Sequence, residues 1–136
     1  MTAEQMAAIH AACFTMPRPW SAQEIAGLLD SAFSFAISAD RGFLLGRVVA
    51  GEAELLTLAV DPAARRQGIG AALMQDFLTE SLRRGAESVF LEVAATNAAA
   101  LQLYARAGFS ETARRKGYYH AADGQAVDAV IMARVF

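Results

Sequence analysis

Leu56-Thr57-Leu58-Ala59-Val60-Asp61-Pro62-Ala63-Ala64-Arg65-Arg66-Gln67-Gly68-Ile69-Gly70 holds three signals in one short stretch. The apolar run Leu55 to Val60 has the length and composition of a strand. Asp61-Pro62 ends it, because proline brings no N–H to a ladder and restricts the residue before it. From Ile69 a helical period begins, with Leu73, Phe77, Met74, Leu78 and Leu82 forming a broad apolar face. Gly68 and Gly70 stand where that helix starts, at unpaired N–H groups and a partial positive charge. Arg65 and Arg66 add two cations. Strand, basic loop and helix together read as a cradle for phosphate.

A pair of glycines opening a helix also fits a tight loop that needs only positive φ. The spacing matches neither common nucleotide template: no Lys-Ser or Lys-Thr follows Gly70, and there is no third glycine. Arg65-Arg66-Gln67-Gly68-Ile69-Gly70 resembles instead the Arg/Gln-x-x-Gly-x-Gly/Ala signature of the GNAT acetyltransferases. The resemblance implies that Arg65, Arg66, Gln67, Gly68, Ile69, Gly70 and Ala71 hold the pyrophosphate of coenzyme A, largely through backbone N–H groups.

Bulk composition narrows the alternatives. The chain has 136 residues, the size of one domain over 1–136, and is 55% hydrophobic and 19% charged, which suits a packed globule. A net charge of -2 gives no basic field for nucleic acid. Cys13, the single cysteine, excludes an internal disulfide, and His10 and His120 show no metal spacing, so no metal is expected. No signal peptide or apolar run of membrane length is visible, so no membrane partner is expected and the expected compartment is the cytoplasm.

Working outward, Thr2 to Gln5 and Ser21 to Glu24 are capping boxes that open two helices. Met6, Ile9 and Cys13 fall near one face of the first, which leaves His10 beside that face, on the surface or half-buried, and Cys13 as packing. Between the helices runs Phe14-Thr15-Met16-Pro17-Arg18-Pro19-Trp20. Trp20 either staples to Ile25 or lines a substrate groove. Strands are expected over 33–38, 42–49 and 53–60 as an antiparallel meander, then over 88–93, which should pair in parallel with 55–60 across a right-handed crossover. Thr96-Asn97 caps a helix over 98–107. A strand from Phe109 leads to a basic loop, Arg114-Arg115-Lys116-Gly117-Tyr118-Tyr119, and 127–135 forms the last strand.

Glu92 breaks the apolar pattern of its strand. It shares a face with Phe90, opposite Val89, Leu91 and Val93, and apolar surroundings would desolvate it and raise its pKa. Asn97, Leu101 and Tyr104, at helical spacings of four and three, share a stripe with a polar group at each end, as a bound ligand would require. Leu91-Glu92-Val93, Asn97-Ala98-Ala99-Ala100, Leu103-Tyr104 and Gly108-Phe109 resemble the ribosomal-protein-alanine N-acetyltransferases within GNAT, from about Trp20 to Met132. The resemblance implies an α/β GNAT fold, with a mixed, mostly antiparallel sheet and helices on both faces. The strand that usually precedes the first helix is missing.

It implies acetyl-CoA as cosubstrate, Glu92 as general base and Tyr104 as general acid. Asn97 and Tyr104 then contact coenzyme A, and Leu58, Ala59 and Val60 bind the acetyl and pantetheine groups through the backbone. Trp20, Tyr118 and Tyr119 become candidates for the acceptor, a primary amine: the N-terminus of a ribosomal protein, with a small-molecule amine as alternative. A non-catalytic acyl-CoA sensor is the second alternative, and the paired Glu92 and Tyr104 argue against it. Two departures lie near the acceptor side: the missing strand, and Arg114 to His120, where the family's Arg-Arg-x-Tyr-Tyr-Pro loop has one residue fewer and a proline.

Overall fold

The computed structural model describes residues 1–14 and 16–136; Thr15, in the loop before Trp20, lies outside them. Helices α1 (Ala3–Cys13) and α2 (Ala22–Leu29) come first. Strands β1 (Ser34–Ala39), β2 (Gly42–Val49) and β3 (Glu52–Val60) are next, then α3 (Ile69–Arg83), β4 (Ser88–Ala94), α4 (Ala98–Arg106), β5 (Ser110–His120) and β6 (Ala126–Val135). Both capping boxes form, with Thr2 accepting from Gln5 N and Ser21 from Glu24 N. Asp61 caps a 3-10 turn over Pro62–Ala64 that ends β3.

The strands make one sheet in the order β1-β2-β3-β4-β6-β5. Only β3 and β4 pair in parallel, and α3 makes the crossover between them, as the sequence requires. Helices cover both faces, and β2 shows how: Phe43 and Leu45 point to a core with Met6 of α1 and Ile25 of α2, while Leu44 and Val48 point to a core with Leu73, Met74 and Phe77 of α3. Gly46 lets α3 settle close. A Cβ there would sit 2.6 Å from Phe77 and 2.9 Å from Phe35.

The feature that makes a site possible lies between β3 and β4. Their ladder holds at Glu52↔Ser88, Ala53↔Val89 and Glu54↔Phe90, then stops. At that level β3 bulges: Gly46 pairs with Leu55 and Leu45 with Thr57, leaving Leu56 unpaired. A bulge bends a strand and reverses the facing of the residues beyond it. Accordingly Ala53 and Leu55 face the α3 core before it, and Leu58 and Val60 after it. β3 stays with β2 while β4 stays with β6 along Ser88–Ala94, so the two halves of the sheet part.

One stretch departs from expectation. Arg114 to Tyr119 is not a loop but part of strand β5. The extra residues are absorbed in a bulge, because Arg115 pairs with Ala129 and the ladder resumes at Tyr119 and Val127. Gly117 makes this possible at φ 59, and its N–H donates to Asp128 Oδ1 at 2.9 Å.

Candidate active site

The candidate residues fall on opposite faces of the sheet, whose halves part between β3 and β4. On the α3 side is the basic loop. Arg66 and Gly68 both have left-handed backbones, φ 64 and φ 78, which turn the chain into α3. Gly68 is the N-cap and offers no side chain, so the first N–H groups of α3, from Ile69 to Ala71, gain no side-chain cap. Arg65, Arg66 and Gln67 are exposed, and neither arginine joins an ion pair among the described residues. Uncapped N–H groups and uncommitted guanidinium groups are what an anion needs. Gly70 has a second function: a Cβ there would lie 3.3 Å from Leu103 of α4, so the glycine brings α3 and α4 together.

On the same side, Tyr104 of α4 is packed in the α3 core, 6% exposed, with its ring centroid 6.2 Å from Phe109. Burial pushes its phenol up to about 12. Ser81 Oγ is the one sealed side-chain polar atom without a partner among the described residues. The Tyr104 hydroxyl has no hydrogen-bond partner among the described residues, and burial alone accounts for its raised pKa. Asn97 has the structural duty expected from the sequence. It is the N-cap of α4, accepting from Ala100 N at 3.2 Å, which leaves its amide N–H groups for a ligand.

Glu92 lies on the other face, in register with Ile131 of β6. Its side chain is 28% exposed while the residue as a whole is exposed, because its main chain borders the opening left by β3. The expected apolar setting is not there. Tyr119 Oη donates to Glu92 Oε1 at 3.1 Å, and Arg115 Nε stands 3.9 Å from Oε2. The cause is the β5 bulge, which carries Tyr119 and Arg115 over this face of the sheet. Desolvation and the Glu92 charge push the Tyr119 phenol up to about 12, so it stays a donor at neutral pH. Tyr118 is exposed beside it, edge-on to Tyr119 at 5.2 Å and under the Arg115 guanidinium at 4.9 Å.

Trp20 sits farther along this face, where it lines an open apolar groove with Glu24, Gly27, Leu28 and the bulged Leu56. Trp20 packs with Ile25 and Phe43, and one side of it faces the groove. Glu24 is held by Arg18 through two bonds of 2.8 Å, which keeps its carboxyl down at about 2.

His10 is the residue sequence reading placed wrongly. It is 1% exposed, bonded to Thr57 of β3 and to the backbone of Trp20. The available signal was its spacing of four from Met6, the other fully buried residue of α1. Leu58, Ala59 and Val60 come after Thr57 on the edge of the opening, and Cys13 Sγ donates to Val60 O at 3.1 Å.

The sheet is divided, with the uncapped N-terminus of α3 behind it and the Glu92 carboxylate in front, and residues 3–109 match the acetyltransferase (GNAT) family model. The chain belongs to that family. Among particular proteins, it is 46% identical over 91 residues to the [ribosomal protein bS18]-alanine N-acetyltransferase of Escherichia coli strain K12, covering 67% of this chain and 61% of that relative. The aligned part is thus under two thirds of the relative's length. The protein of that name from Salmonella typhimurium is 39% identical over 119 residues, covering 85% of this chain and 80% of the relative. The crystal structure of the Escherichia coli ribosomal-protein-S18-alanine N-acetyltransferase superposes with a TM-score of 0.87 at 34% identity, covering 98% of this chain and 86% of that one.

Proposed function

We propose that this chain transfers the acetyl group of acetyl-CoA to a primary amine, the N-terminal α-amino group of a protein of the ribosomal-protein alanine type. The observation that carries the reading is the parting of β3 and β4 between an uncapped helix N-terminus and a carboxylate. The similarity to proteins named as alanine N-acetyltransferases supports the acceptor. We read residues 1–136 as one domain acting in the cytoplasm. Among the described residues no helix is long and apolar enough to cross a membrane.

The chemistry arises from the groups. Arg65, Arg66, Gln67 and the N–H groups from Gly68 to Ala71 hold the pyrophosphate, and Asn97 offers its free amide N–H groups to the same molecule. The edge of Leu58, Ala59 and Val60 faces the opening with peptide groups that no β4 ladder takes, so they suit the pantetheine amides and a developing oxyanion. The acceptor comes from the other face, past Trp20, Tyr118 and Tyr119.

An α-amino group of pKa ~8 is only about 10% neutral at pH 7. Glu92 takes its proton, directly or through one water, and the nitrogen attacks the thioester carbonyl. Tyr119 and Arg115 hold the carboxylate in place. As the C–S bond breaks, the Tyr104 hydroxyl donates to the sulphur. A phenol at about 12 is a weaker acid than a thiol at ~8.5, so it keeps its proton, stabilises the growing charge through a hydrogen bond, and the departed thiolate takes its proton from water.

The test is release of coenzyme A thiol with a peptide that begins in Ala, against a panel of small amines, for wild type and Glu92→Gln. The peptide should be the better acceptor. Glu92→Gln should keep acetyl-CoA binding and lose about 10²–10⁴ in rate at pH 7. Part of the loss should return above the amine pKa, where less deprotonation is asked of the enzyme. Full activity in Glu92→Gln refutes the base assignment. Preference for small amines refutes the acceptor, and binding of acetyl-CoA without turnover favours a sensor.

A further inference from the structure

Helix α1 reaches the bulged strand through two side-chain bonds, set three residues apart on each element. His10 Nε2 lies 3.0 Å from Thr57 Oγ1, and Cys13 Sγ lies 3.1 Å from Val60 O. The other nitrogen of His10 is also committed, because the backbone N–H of Trp20 donates to Nδ1 at 3.1 Å. An acceptor at Nδ1 leaves the ring proton on Nε2, which donates to Thr57. The ring is clamped flat by Phe14 at 4.3 Å and Trp20 at 5.2 Å, with Phe43 at 6.4 Å. Position, rotation and tautomer of one buried imidazole are thereby fixed.

What it joins is more telling than that it is satisfied. Thr57 comes directly after Leu56, the residue that bulges and sends Leu58, Ala59 and Val60 away from β4. Trp20 and Leu56 both line the apolar groove on the acceptor face. A hydrophobic side chain would fill the same space without the cost of burying two ring nitrogens. The imidazole does what no hydrocarbon can: it ties a wall of the groove and the strand edge to one rigid ring.

We propose that His10 is a positioning residue for acetyl transfer. Its bonds to Trp20 and Thr57 set the separation between the acceptor groove and the strand edge that carries the thioester. This rests on the acetyltransferase reading above. His10 touches no reacting atom and moves no proton. It acts through geometry, to which transfer between two bound reactants is sensitive at the ångström scale.

Two amide substitutions divide the roles of the ring. In His10→Gln the amide stands where Nε2 was, which keeps the donor to Thr57 and loses the acceptor for Trp20. In His10→Asn the amide oxygen replaces Nδ1, which keeps Trp20 and loses Thr57. Thr57→Val removes the same Thr57 bond with little change of shape, and serves if a His10 variant fails to fold. The measurements are KM and kcat with an Ala-starting peptide, acetyl-CoA affinity by calorimetry, urea midpoints, and the NMR shift of the Trp20 amide as acetyl-CoA is added.

His10→Gln should raise the peptide KM about fivefold, the worth of one hydrogen bond, with acetyl-CoA affinity within about twofold of wild type. His10→Asn should restore the peptide KM and, like Thr57→Val, lower kcat or acetyl-CoA affinity instead. In wild type the Trp20 amide should shift on acetyl-CoA binding, and in Thr57→Val it should not. If both His10 variants change KM and affinity together, in step with their urea midpoints, the ring is a structural core residue and the proposal falls. It falls equally if neither variant changes anything, or if the Trp20 amide responds in Thr57→Val as in wild type. Wild type that binds no acetyl-CoA refutes the acetyltransferase reading and this inference with it. Wild type that binds and acetylates, with indifferent variants, refutes this inference alone.

Discussion

His10 makes stability depend on pH in a window of its own. Burial lowers its pKa from 6.5 to about 4, with the Glu24 charge opposing the shift. The folded-state value is depressed, so the unfolded chain binds the proton first as pH falls. The contribution is therefore present above pH 6.5 and lost as pH drops toward 4. Each pKa unit is worth about 1.4 kcal/mol, so the full loss is about 3 kcal/mol, most of it gone by pH 5. The carboxylates held low by arginines, Glu24 and Glu80, both at about 2, act later, below their ordinary 4.5. Between pH 6.5 and 4.5 the His10 contribution thus stands apart from theirs. Urea unfolding at pH 7, 6, 5 and 4.5, for wild type, His10→Gln and His10→Asn, reads it directly. Wild type should lose stability at up to about 1.4 kcal/mol per pH unit, and both variants should be flatter by that amount while starting lower at pH 7. Parallel curves for all three proteins would refute the reasoning, because the slope would then belong to other groups.

Tyr104→Phe should unfold at the same urea midpoint as wild type, since the hydroxyl has no partner to lose among the described residues. Its kcat should fall about 10²–10⁴-fold in the thiol-release assay. Gly68→Ala meets no atom within 4 Å but must adopt φ 78. It should cost about 1–2 kcal/mol of stability by urea unfolding and weaken acetyl-CoA binding at least about tenfold by calorimetry. Gly46→Ala forces a methyl group against Phe77 and Phe35. It should cost about 1–3 kcal/mol by urea unfolding, without a selective effect on acetyl-CoA affinity.

Local chemistry made most of the framework legible. The capping residues Thr2, Ser21 and Asn97 mark helix starts in the sequence because they bond to N–H groups within three residues of themselves. Asp61-Pro62 and the glycines of the basic loop punctuate the chain for equally local reasons. A helix between two strands left one handedness and hence one parallel pair, so the β3–α3–β4 crossover was readable too. The face occupied by Glu92 could be read from strand alternation, because no bulge interrupts β4.

The tertiary structure decided what lies beyond the reach of neighbours in sequence. That β3 bulges at Leu56 depends on its register against β2, a pairing no local signal encodes, and the bulge is what opens the sheet. The partners of Glu92, Tyr119 and Arg115, arrive from another strand whose own bulge re-aims them, so the apolar environment expected from β4 alone was wrong. His10 looked peripheral because a helical face is defined in sequence only to within a residue or so. Its burial was fixed by Phe14, Trp20, Phe43 and Thr57, which reach it from the end of α1, the loop before α2 and two strands. The sequence by itself determined most of the elements and their order, and it offered candidates for the chemistry. Which of those residues face each other, and across what opening, was decided by long-range strand register, which is set only when the whole sheet is assembled.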